Sequence, residues 1–442
     1  MSHSNKESKP STGHKIHQVE NNCLSNRDKK HLWHPLTQHK ITPDMIAIVK
    51  AKGAVLYDES GKEYIDAIAS WYTSMYGHCN PYITNRVSKQ MEELDQIVFS
   101  GFTHEPAIKL SEELIKILPP NQEKIFFSDN GSTATEVGIK MALQFHYNSG
   151  ESRNTILAFE EGFHGDTFGA MSVSGLSVYN GAFKDHFINV VRIAVPTGEN
   201  NNEVLENLHQ LINNYSIAGF IYEPLVQGAA GMKMYNSNGL NEILKICNAN
   251  NIICIADEVM TGFGKTGKNF ASEYIEIQPD IICLSKALTA GLLPMAITST
   301  SLKIYDAFYA DDISKGLFHG HTYSANPLAC MAAIAGIELL ASKDIQENIE
   351  RIIKANTEFG ERISSHSRVK NLRQLGVILA FELDVVAERY GNLRNKLFRY
   401  FMEDGIFLRP LGNTLYILPP YVISPEQLGK VFTCIEKMLA DF

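Results

Sequence analysis

Short apolar runs, rich in isoleucine and bounded by turn-forming residues, recur along the middle of the chain. Such runs are typical of buried parallel strands, because a strand that is covered on both faces has no polar side. They predict strands at Glu123–Ser128, Thr155–Phe159, Ala218–Leu225, Ile252–Ala256, Ile281–Leu284 and Met295–Thr300. Between them, Thr133–Phe145 predicts a helix with capping-box spacing from Thr133 to Glu136. Leu328–Leu340 is apolar on all sides, as a buried helix is, and the alternation of strands with helices predicts an α/β fold.

The two ends of the chain have a different pattern from its middle. Ala54–Asp58 and Glu63–Ile68, joined by a loop that contains glycine, predict a β-hairpin. Toward the other end, a charged helix is followed by antiparallel strands, at Ile345–Ser364, Val369–Leu375, Val377–Leu383 and Thr414–Leu418. This alternation predicts a separate small α+β domain. The first 30 residues are polar and have no apolar core, which predicts a disordered tail and not a signal peptide.

Polar residues or glycine-rich turns follow five of the predicted strands, always at the same end. They are Gly131-Ser132, Phe163-His164, Glu223 with Gln227, Asp257 and Lys286. Open α/β sheets bind their ligands beyond the carboxyl ends of the strands. A glycine-serine turn before a helix also offers free backbone N–H groups to a phosphate. Because a random core would not repeat this placement, the pattern favours a ligand site at this edge of the sheet.

Asp257 and Lys286 follow two neighbouring predicted strands and fit two interpretations. Taken alone, they are most simply a buried ion pair, since ion-pair networks also produce such pairings. The alternative is pyridoxal phosphate chemistry, in which a lysine amine forms a Schiff base with the cofactor and a carboxylate keeps the pyridine nitrogen protonated. The other strand-end residues favour the second interpretation.

Trp71 and Arg409 are candidate pocket residues outside the sheet. Trp71 lies in an aromatic, loop-like stretch and fits either an ordinary core or the wall of a pocket. Arg409 is followed by Pro410 and an apolar strand. An arginine is usually a surface residue, but in this setting its planar guanidinium could bind a carboxylate through two hydrogen bonds.

Composition and charge exclude several classes of protein. The chain has 442 residues, is 44% hydrophobic and 20% charged, and is long enough for a large domain and a smaller one. Its net charge of −9, without a basic stripe, argues against nucleic acid or an anionic membrane as a partner. Seven scattered cysteines favour a reducing cytoplasm, and no apolar run approaches a membrane span. His31, His34 and His39 lack the supporting ligands of a metal site, so no metal is predicted.

The stretches ADEVMTGFGKTG and PDIICLSKALTAG resemble the class III, fold-type I pyridoxal-phosphate aminotransferases, and the resemblance covers nearly the whole chain from His31 onward. It implies a large domain, residues 76–343, with a mostly parallel seven-stranded sheet. It also implies a small α+β domain from both chain ends, residues 31–75 and 344–442, after a disordered tail over residues 1–30. Members of the class are homodimers with shared active sites.

The resemblance also implies roles for individual residues. Lys286 would be the Schiff-base lysine and proton carrier, and Asp257 would pair with the pyridinium nitrogen. The other cofactor-binding residues would be Gly131, Ser132, Phe163, Glu223, Gln227, Val259, His321 and Thr322, with Thr322 reaching the phosphate from the partner subunit. The substrate pocket would contain Leu36, Trp71, Phe163, Lys286, Gly320 and Arg409, with Arg409 on the substrate carboxylate.

Several shorter motifs, among them HLWHPLTQ, SWYTSMYGH and HGHTYSANPLAC, resemble the members of the class that act in biotin biosynthesis. This implies conversion of 8-amino-7-oxononanoate to 7,8-diaminononanoate with S-adenosylmethionine as amino donor. The chain departs from those members at Leu36, Phe163, Lys265 and His321, where tyrosine, tyrosine, arginine and proline are usual. These departures leave lysine open as the donor. An ω-aminotransferase for ornithine, 4-aminobutyrate or acetylornithine is the nearest rival, and a histidine-based metal-binding interaction protein is the alternative from another class.

Overall fold

A seven-stranded sheet is the centre of the chain, in a computed structural model that describes residues 23–177, 180–386 and 391–442. From edge to edge, its strands are Lys124–Ser128, Ala296–Thr300, Ile281–Leu284, Ile253–Asp257, Ile217–Tyr222, Thr155–Phe159 and Val190–Ile193. Ala296–Thr300 runs antiparallel to both of its neighbours, and the other strands run parallel to one another. The predicted α/β fold with a mostly parallel seven-stranded sheet is confirmed.

The strand Val190–Ile193 was not predicted, because Arg192 interrupts its apolar run. Within the folded chain, Arg192 Nη2 donates to the carbonyl oxygens of Ser172 and Ser174, at 2.5 and 2.8 Å. One guanidinium nitrogen of Arg192 is therefore bonded to carbonyl groups 18 and 20 residues away in sequence, which the local pattern does not reveal.

The two faces of the sheet are covered by two separate apolar clusters. Along Ile253–Asp257 every residue is buried, and alternate side chains enter opposite clusters. Ile253 and Ile255 pack with the helix Gly131–Asn148, whereas Cys254 and Ala256 lie on the other side. This explains the continuous apolar runs, since a strand between two covered faces needs apolar residues at every position.

The described residues form α-helices at Leu24–His31, Pro81–Glu93, Glu105–Ile117, Gly131–Asn148, Phe168–Val173, Asn201–Asn214, Ser237–Ala249, Leu302–Asp306, Pro327–Leu340, Lys343–Ile363, Asn392–Glu403 and Pro425–Asp441. Ala69–Tyr72 forms a single turn whose backbone angles are not those of an α-helix. Short 3₁₀ helices lie at Gly181–His186, Ala271–Tyr274, Lys286–Thr289 and Ile313–Lys315. Leu24–His31 corrects the prediction that the disordered tail continues to residue 30. This helix buries no residue, so it has no apolar face that a pattern could reveal. The tail over residues 1–22 lies outside the described residues.

Both ends of the chain contribute to the small sheets, as predicted for the small α+β domain. Ile48–Lys52, Val55–Asp58 and Glu63–Asp66 form a sheet whose fourth strand is Ile406–Phe407. An antiparallel three-stranded sheet consists of Val369–Leu375, Ile378–Leu383 and Thr414–Ile417, and Val226–Gln227 pairs with Lys233–Met234. The exact domain boundaries stay a prediction. No helix among the described residues is long and apolar enough to cross a membrane.

Candidate active site

Lys286 and Asp257 lie at the carboxyl ends of adjacent parallel strands. Asp257 is the last residue of its strand and is paired with Cys283, while Lys286 follows the neighbouring strand and opens a 3₁₀ helix. Burial lowers the pKa of the Lys286 amine, while the nearby carboxylates of Asp257 and Glu223 raise it in part. Because burial prevails, the neutral amine is more populated than in an exposed lysine.

Asp257 is held by His164, a contact that sequence reasoning missed. The Asp257 carboxylate is 3% exposed, its Oδ2 lies 2.7 Å from His164 Nδ1, and its Oδ1 accepts the Val259 N–H at 3.0 Å. The His164 backbone N–H donates to Ser174 Oγ at 2.9 Å, and this bond holds the backbone of the histidine in place. The available signal was the position of His164 in the turn after Thr155–Phe159, at the same edge of the sheet.

Glu223 and Gln227 are almost completely buried, and Glu223 lies near both His164 and Asp257. Glu223 accepts the backbone N–H groups of Phe163 and Gly228, each at 2.9 Å. Burial raises the pKa of Glu223 to about 7, although the charge of His164 opposes the shift. Both amide atoms of Gln227 are buried, and neither has a hydrogen-bond partner within the described part of the chain. An unsatisfied buried polar atom costs about 1–3 kcal/mol. A ligand that bonds to the Gln227 amide would remove this cost, so the side chain is suited to bind one.

The turn at Gly131-Ser132 is the N-terminus of the helix Gly131–Asn148. Asn130 and Thr133 form its capping box, which corrects the predicted pair of Thr133 and Glu136. The prediction was wrong because the helix starts earlier, and Glu136 instead accepts backbone N–H groups from the helix Phe168–Val173.

The capping box leaves the first amides of this helix available. The cap occupies the Thr133 N–H, whereas the Gly131 and Ser132 N–H groups lie in the first turn, where no carbonyl of the helix is in position to accept them. A Cβ added to Gly131 would lie 2.9 Å from Val259 Cγ1, so glycine allows the turn to approach the strand that carries Asp257. These amides, with the positive end of the helix dipole, form an anion-binding geometry.

Trp71, Tyr72 and Arg409 lie together on the other side of Lys286. The Arg409 guanidinium carbon is 4.8 Å from the Trp71 ring, and the Lys286 amine is 5.6 Å from the Tyr72 ring. Trp71 is 41% exposed, so it is not an ordinary core residue, and its role as a pocket wall stays a prediction. Tyr72 is buried and donates its hydroxyl to Tyr416 at 2.8 Å.

Phe163 and the remaining predicted site residues are more exposed. Phe163 is 42% exposed beside Glu223, and Leu36 is half exposed with φ 51°. Gly320 and Thr322 are exposed and are not brought to Lys286 by contacts within the described chain. His321 Nδ1 is 3.7 Å from Asp129 Oδ1, just before the Gly131 turn. The predicted roles of these residues stay predictions.

Lys265, one of the departures from the usual class pattern, is a core residue. It has no exposed surface, and its amine donates to the Gly262 carbonyl at 2.9 Å. Burial, with a smaller contribution from the charge of Lys286, lowers the Lys265 pKa to about 7. Among the residues that the structure describes, no group of three or more histidine, cysteine, aspartate or glutamate side chains could hold a metal ion.

Comparison with known proteins identifies a family. The family model "Aminotransferase class-III" matches residues 37–439. The chain is 41% identical to the adenosylmethionine-8-amino-7-oxononanoate aminotransferase of Synechococcus elongatus, over 93% of this chain and 99% of that protein. It is 34% identical to the Staphylococcus aureus enzyme of the same name, over 94% and 96% of the two chains.

Solved structures agree with the sequence comparison. The adenosylmethionine-8-amino-7-oxononanoate aminotransferase of Methanocaldococcus jannaschii superposes with a TM-score of 0.90 at 32% identity, covering 95% of this chain and 99% of that one. An amine transaminase from an uncultivated Pseudomonas species, in a pyridoxal-phosphate-bound form, gives a TM-score of 0.87 at 26% identity, covering 93% and 98%.

Proposed function

The chain belongs to the class III family of pyridoxal-phosphate-dependent aminotransferases, and we propose that its acceptor is 8-amino-7-oxononanoate and its amino donor S-adenosylmethionine. The product is then 7,8-diaminononanoate, in biotin biosynthesis. The observation that carries the proposal is 41% identity, over 93% of the chain, to a relative named for this pair of substrates.

The residues at the sheet edge fit pyridoxal phosphate. Gln227 has two unsatisfied buried amide atoms suited to the ring hydroxyl, and the Gly131 and Ser132 amides suit the phosphate. Asp257 suits the protonated ring nitrogen, because a charged acceptor makes the stronger hydrogen bond. When bound, the cofactor supplies an aldehyde for the amino group and a ring that takes up electron density.

The side chains of the site bind the cofactor and substrate, transfer the proton and position the reacting groups. Lys286 would hold the cofactor and, as an amine whose pKa is lowered by burial, would carry the proton at the substrate's reacting carbon. His164 keeps Asp257 oriented through their 2.7 Å contact. Phe163 and Val259 would hold the cofactor ring between them, and Glu223 would bind near the substrate amine. Trp71, Leu36 and Gly320 line the pocket, where Arg409 receives the carboxylate of the acceptor.

Arg409→Ala is expected to weaken the acceptor half-reaction by roughly 2–5 kcal/mol, the loss usual when one partner of a buried charge pair is removed. Arg409→Lys is the matched control: it keeps the charge but loses the planar fork, so it should recover only part of the loss. Single-turnover rates with each substrate separate the two half-reactions. Equal losses in both would contradict a specific role on the acceptor carboxylate.

The amino donor is tested by mixing the yellow holoenzyme separately with S-adenosylmethionine, lysine, ornithine and 4-aminobutyrate. We expect S-adenosylmethionine to bleach the cofactor absorbance fastest. Leu36→Tyr should strengthen donor binding by up to about tenfold, because an aromatic face adds about 0.5–1.5 kcal/mol of stacking. The acceptor step should change little. Bleaching by lysine alone would reverse the donor assignment, and bleaching by ornithine or 4-aminobutyrate would favour the rival ω-aminotransferase.

The active unit that we propose is a homodimer in a reducing cytoplasm. The exposed residues Gly320 and Thr322 lie between two large exposed aromatic side chains, Phe318 and Tyr323. In the dimer, this stretch packs on the other subunit, and Thr322 reaches the phosphate held there; light scattering measures the dimer directly. All seven cysteines are free, as a reducing compartment requires.

A further inference from the structure

Asp66 is a buried carboxylate that no step of the proposed reaction uses. It ends the strand Glu63–Asp66 and has no exposed surface. Its Oδ1 accepts the Ile68 N–H at 3.1 Å, and its Oδ2 accepts the Ser70 N–H at 2.6 Å. His78 Nε2 lies 2.8 Å from the same Oδ2. The carboxylate thus joins three points of the chain, of which Ile68 and Ser70 lie at the turn that carries Trp71.

The turn Ala69–Tyr72 has a backbone that needs such support. Ala69, Ser70 and Tyr72 have φ of 48°, 64° and 66°, although none of them is glycine. Ser70 is the most strained, because its ψ of −87° lies outside the left-handed helical region as well. Strained residues of this kind persist only where the surrounding structure holds them. Asp66 supplies that restraint at Ser70 itself and at Ile68, just before the turn.

The same turn presents two side chains to the site. Trp71 meets Arg409 on one side, and Tyr72 meets Lys286 on the other. The chain beyond the turn is also tightly confined: a Cβ on Gly291 would lie 2.8 Å from the carbonyl carbon of Thr73. A shift of the turn would therefore move the wall that faces the substrate carboxylate and the wall that faces the reacting amine.

We propose that Asp66 is a positioning residue, which holds the Ala69–Tyr72 turn in its strained conformation and so places Trp71 against Arg409 for recognition of the acceptor. The proposal deepens the proposed function and rests on it for the identity of the acceptor. Asp66 itself touches neither substrate nor cofactor. His78 assists by donating to the carboxylate, and the N–H groups of Ile68 and Ser70 take most of its remaining acceptor capacity.

Asp66→Asn in the holoenzyme tests the proposal, because asparagine keeps the size but loses one acceptor atom and the charge. The chain has two tryptophans, so in a Trp33→Phe background fluorescence reports Trp71 alone. We expect stronger acrylamide quenching of Trp71 and a KM for 8-amino-7-oxononanoate raised about tenfold, as for loss of one charge-assisted hydrogen bond. Ser70→Gly removes the strain, so in that background Asp66→Asn should have a smaller effect on both measurements.

Asp280→Asn is the matched control. Asp280 is a buried carboxylate that accepts the Cys254 N–H at 2.9 Å, at the opposite end of the strands from Lys286. The Asp280→Asn substitution should reduce thermal stability without changing the KM for the acceptor or the quenching of Trp71. If Asp66→Asn behaves in the same way, Asp66 is merely structural and the proposal is overturned.

His78→Leu keeps the test decisive if Asp66→Asn does not fold. Loss of this donor should shift quenching and KM in the same direction by a smaller factor, and unchanged values in a folded variant would overturn the proposal. His78→Gln, which retains a donor, should recover part of the effect. Quenching requires no substrate. If the wild-type protein does not use the oxononanoate, the proposed function is refuted. A quenching shift in the Asp66 variant would in that case still support the positioning role of Asp66.

Discussion

Lys286→Ala is expected to reduce turnover by at least about 10²–10⁴-fold, the usual contribution of a positioned proton-transfer group, and more because the covalent attachment is lost as well. No described neighbour offers an equivalent amine: Lys265 is in the core and directed to the Gly262 carbonyl. Borohydride reduction of the wild-type holoenzyme, followed by peptide mapping, should place the pyridoxyl group on Lys286. A pyridoxyl group on another lysine would refute the assignment.

The stability of the cofactor-free variant gives an independent check with a definite sign. Because burial lowers the Lys286 pKa, the folded state binds this proton less readily than the unfolded state, and the charged amine destabilises the fold at neutral pH. Lys286→Ala should therefore raise the free energy of unfolding of the apoprotein near pH 7. The gain should fade as the pH rises toward about 10.4, the ordinary lysine pKa. Lys286→Arg, which keeps a charge, should show no such gain.

The strands were predictable because burial on both faces leaves a local signature. Ile281–Leu284 was predicted with its exact bounds, and Ile252–Ala256 was displaced by one residue from the observed Ile253–Asp257. Val190–Ile193 was missed because Arg192 interrupts its apolar run, and the carbonyl groups that accept from Arg192 Nη2 are distant in sequence. Local patterns thus reveal covered strands, and they fail where a polar side chain finds a remote partner.

The site was predictable in part for the same reason. The repeated placement of polar residues at strand ends predicted that Asp257 and Lys286 lie close together, and the structure places them at the carboxyl ends of adjacent strands. The contact of His164 with Asp257 depends on how two separate turns meet, and the Asp66 network depends on hydrogen bonds to backbone groups in a strained turn. Neither leaves a periodic signal. The roles of Leu36 and Thr322 stay predictions, since contacts within the described chain do not bring Thr322 to Lys286.

The hydrogen bonds around Asp257 determine how an asparagine substitution at this position would act. Its Oδ1 accepts the Val259 N–H, and its Oδ2 faces His164 Nδ1. An asparagine at this position must turn its carbonyl oxygen to the Val259 N–H, because a backbone N–H only donates. Its NH₂ group then faces His164 Nδ1, which must become an acceptor. The substitution therefore removes the negative charge and also forces the neutral histidine into the tautomer protonated on Nε2.

Asp257→Asn should accordingly retain the fold, weaken cofactor binding and lower single-turnover rates in both half-reactions by roughly 10²–10³-fold, as for loss of a preorganised electrostatic partner. Both halves should suffer equally, since each depends on the same ring nitrogen, in contrast to the one-sided loss expected for Arg409→Ala. His164→Asn separates charge from orientation: it leaves the Asp257 carboxylate charged but loosely held, so its loss should be smaller. Spectroscopic titration with pyridoxal phosphate and stopped-flow rates measure the two effects. Near-normal rates in a fully loaded Asp257→Asn enzyme would show that the carboxylate supports the histidine and not the cofactor, and the catalytic assignment would then fall.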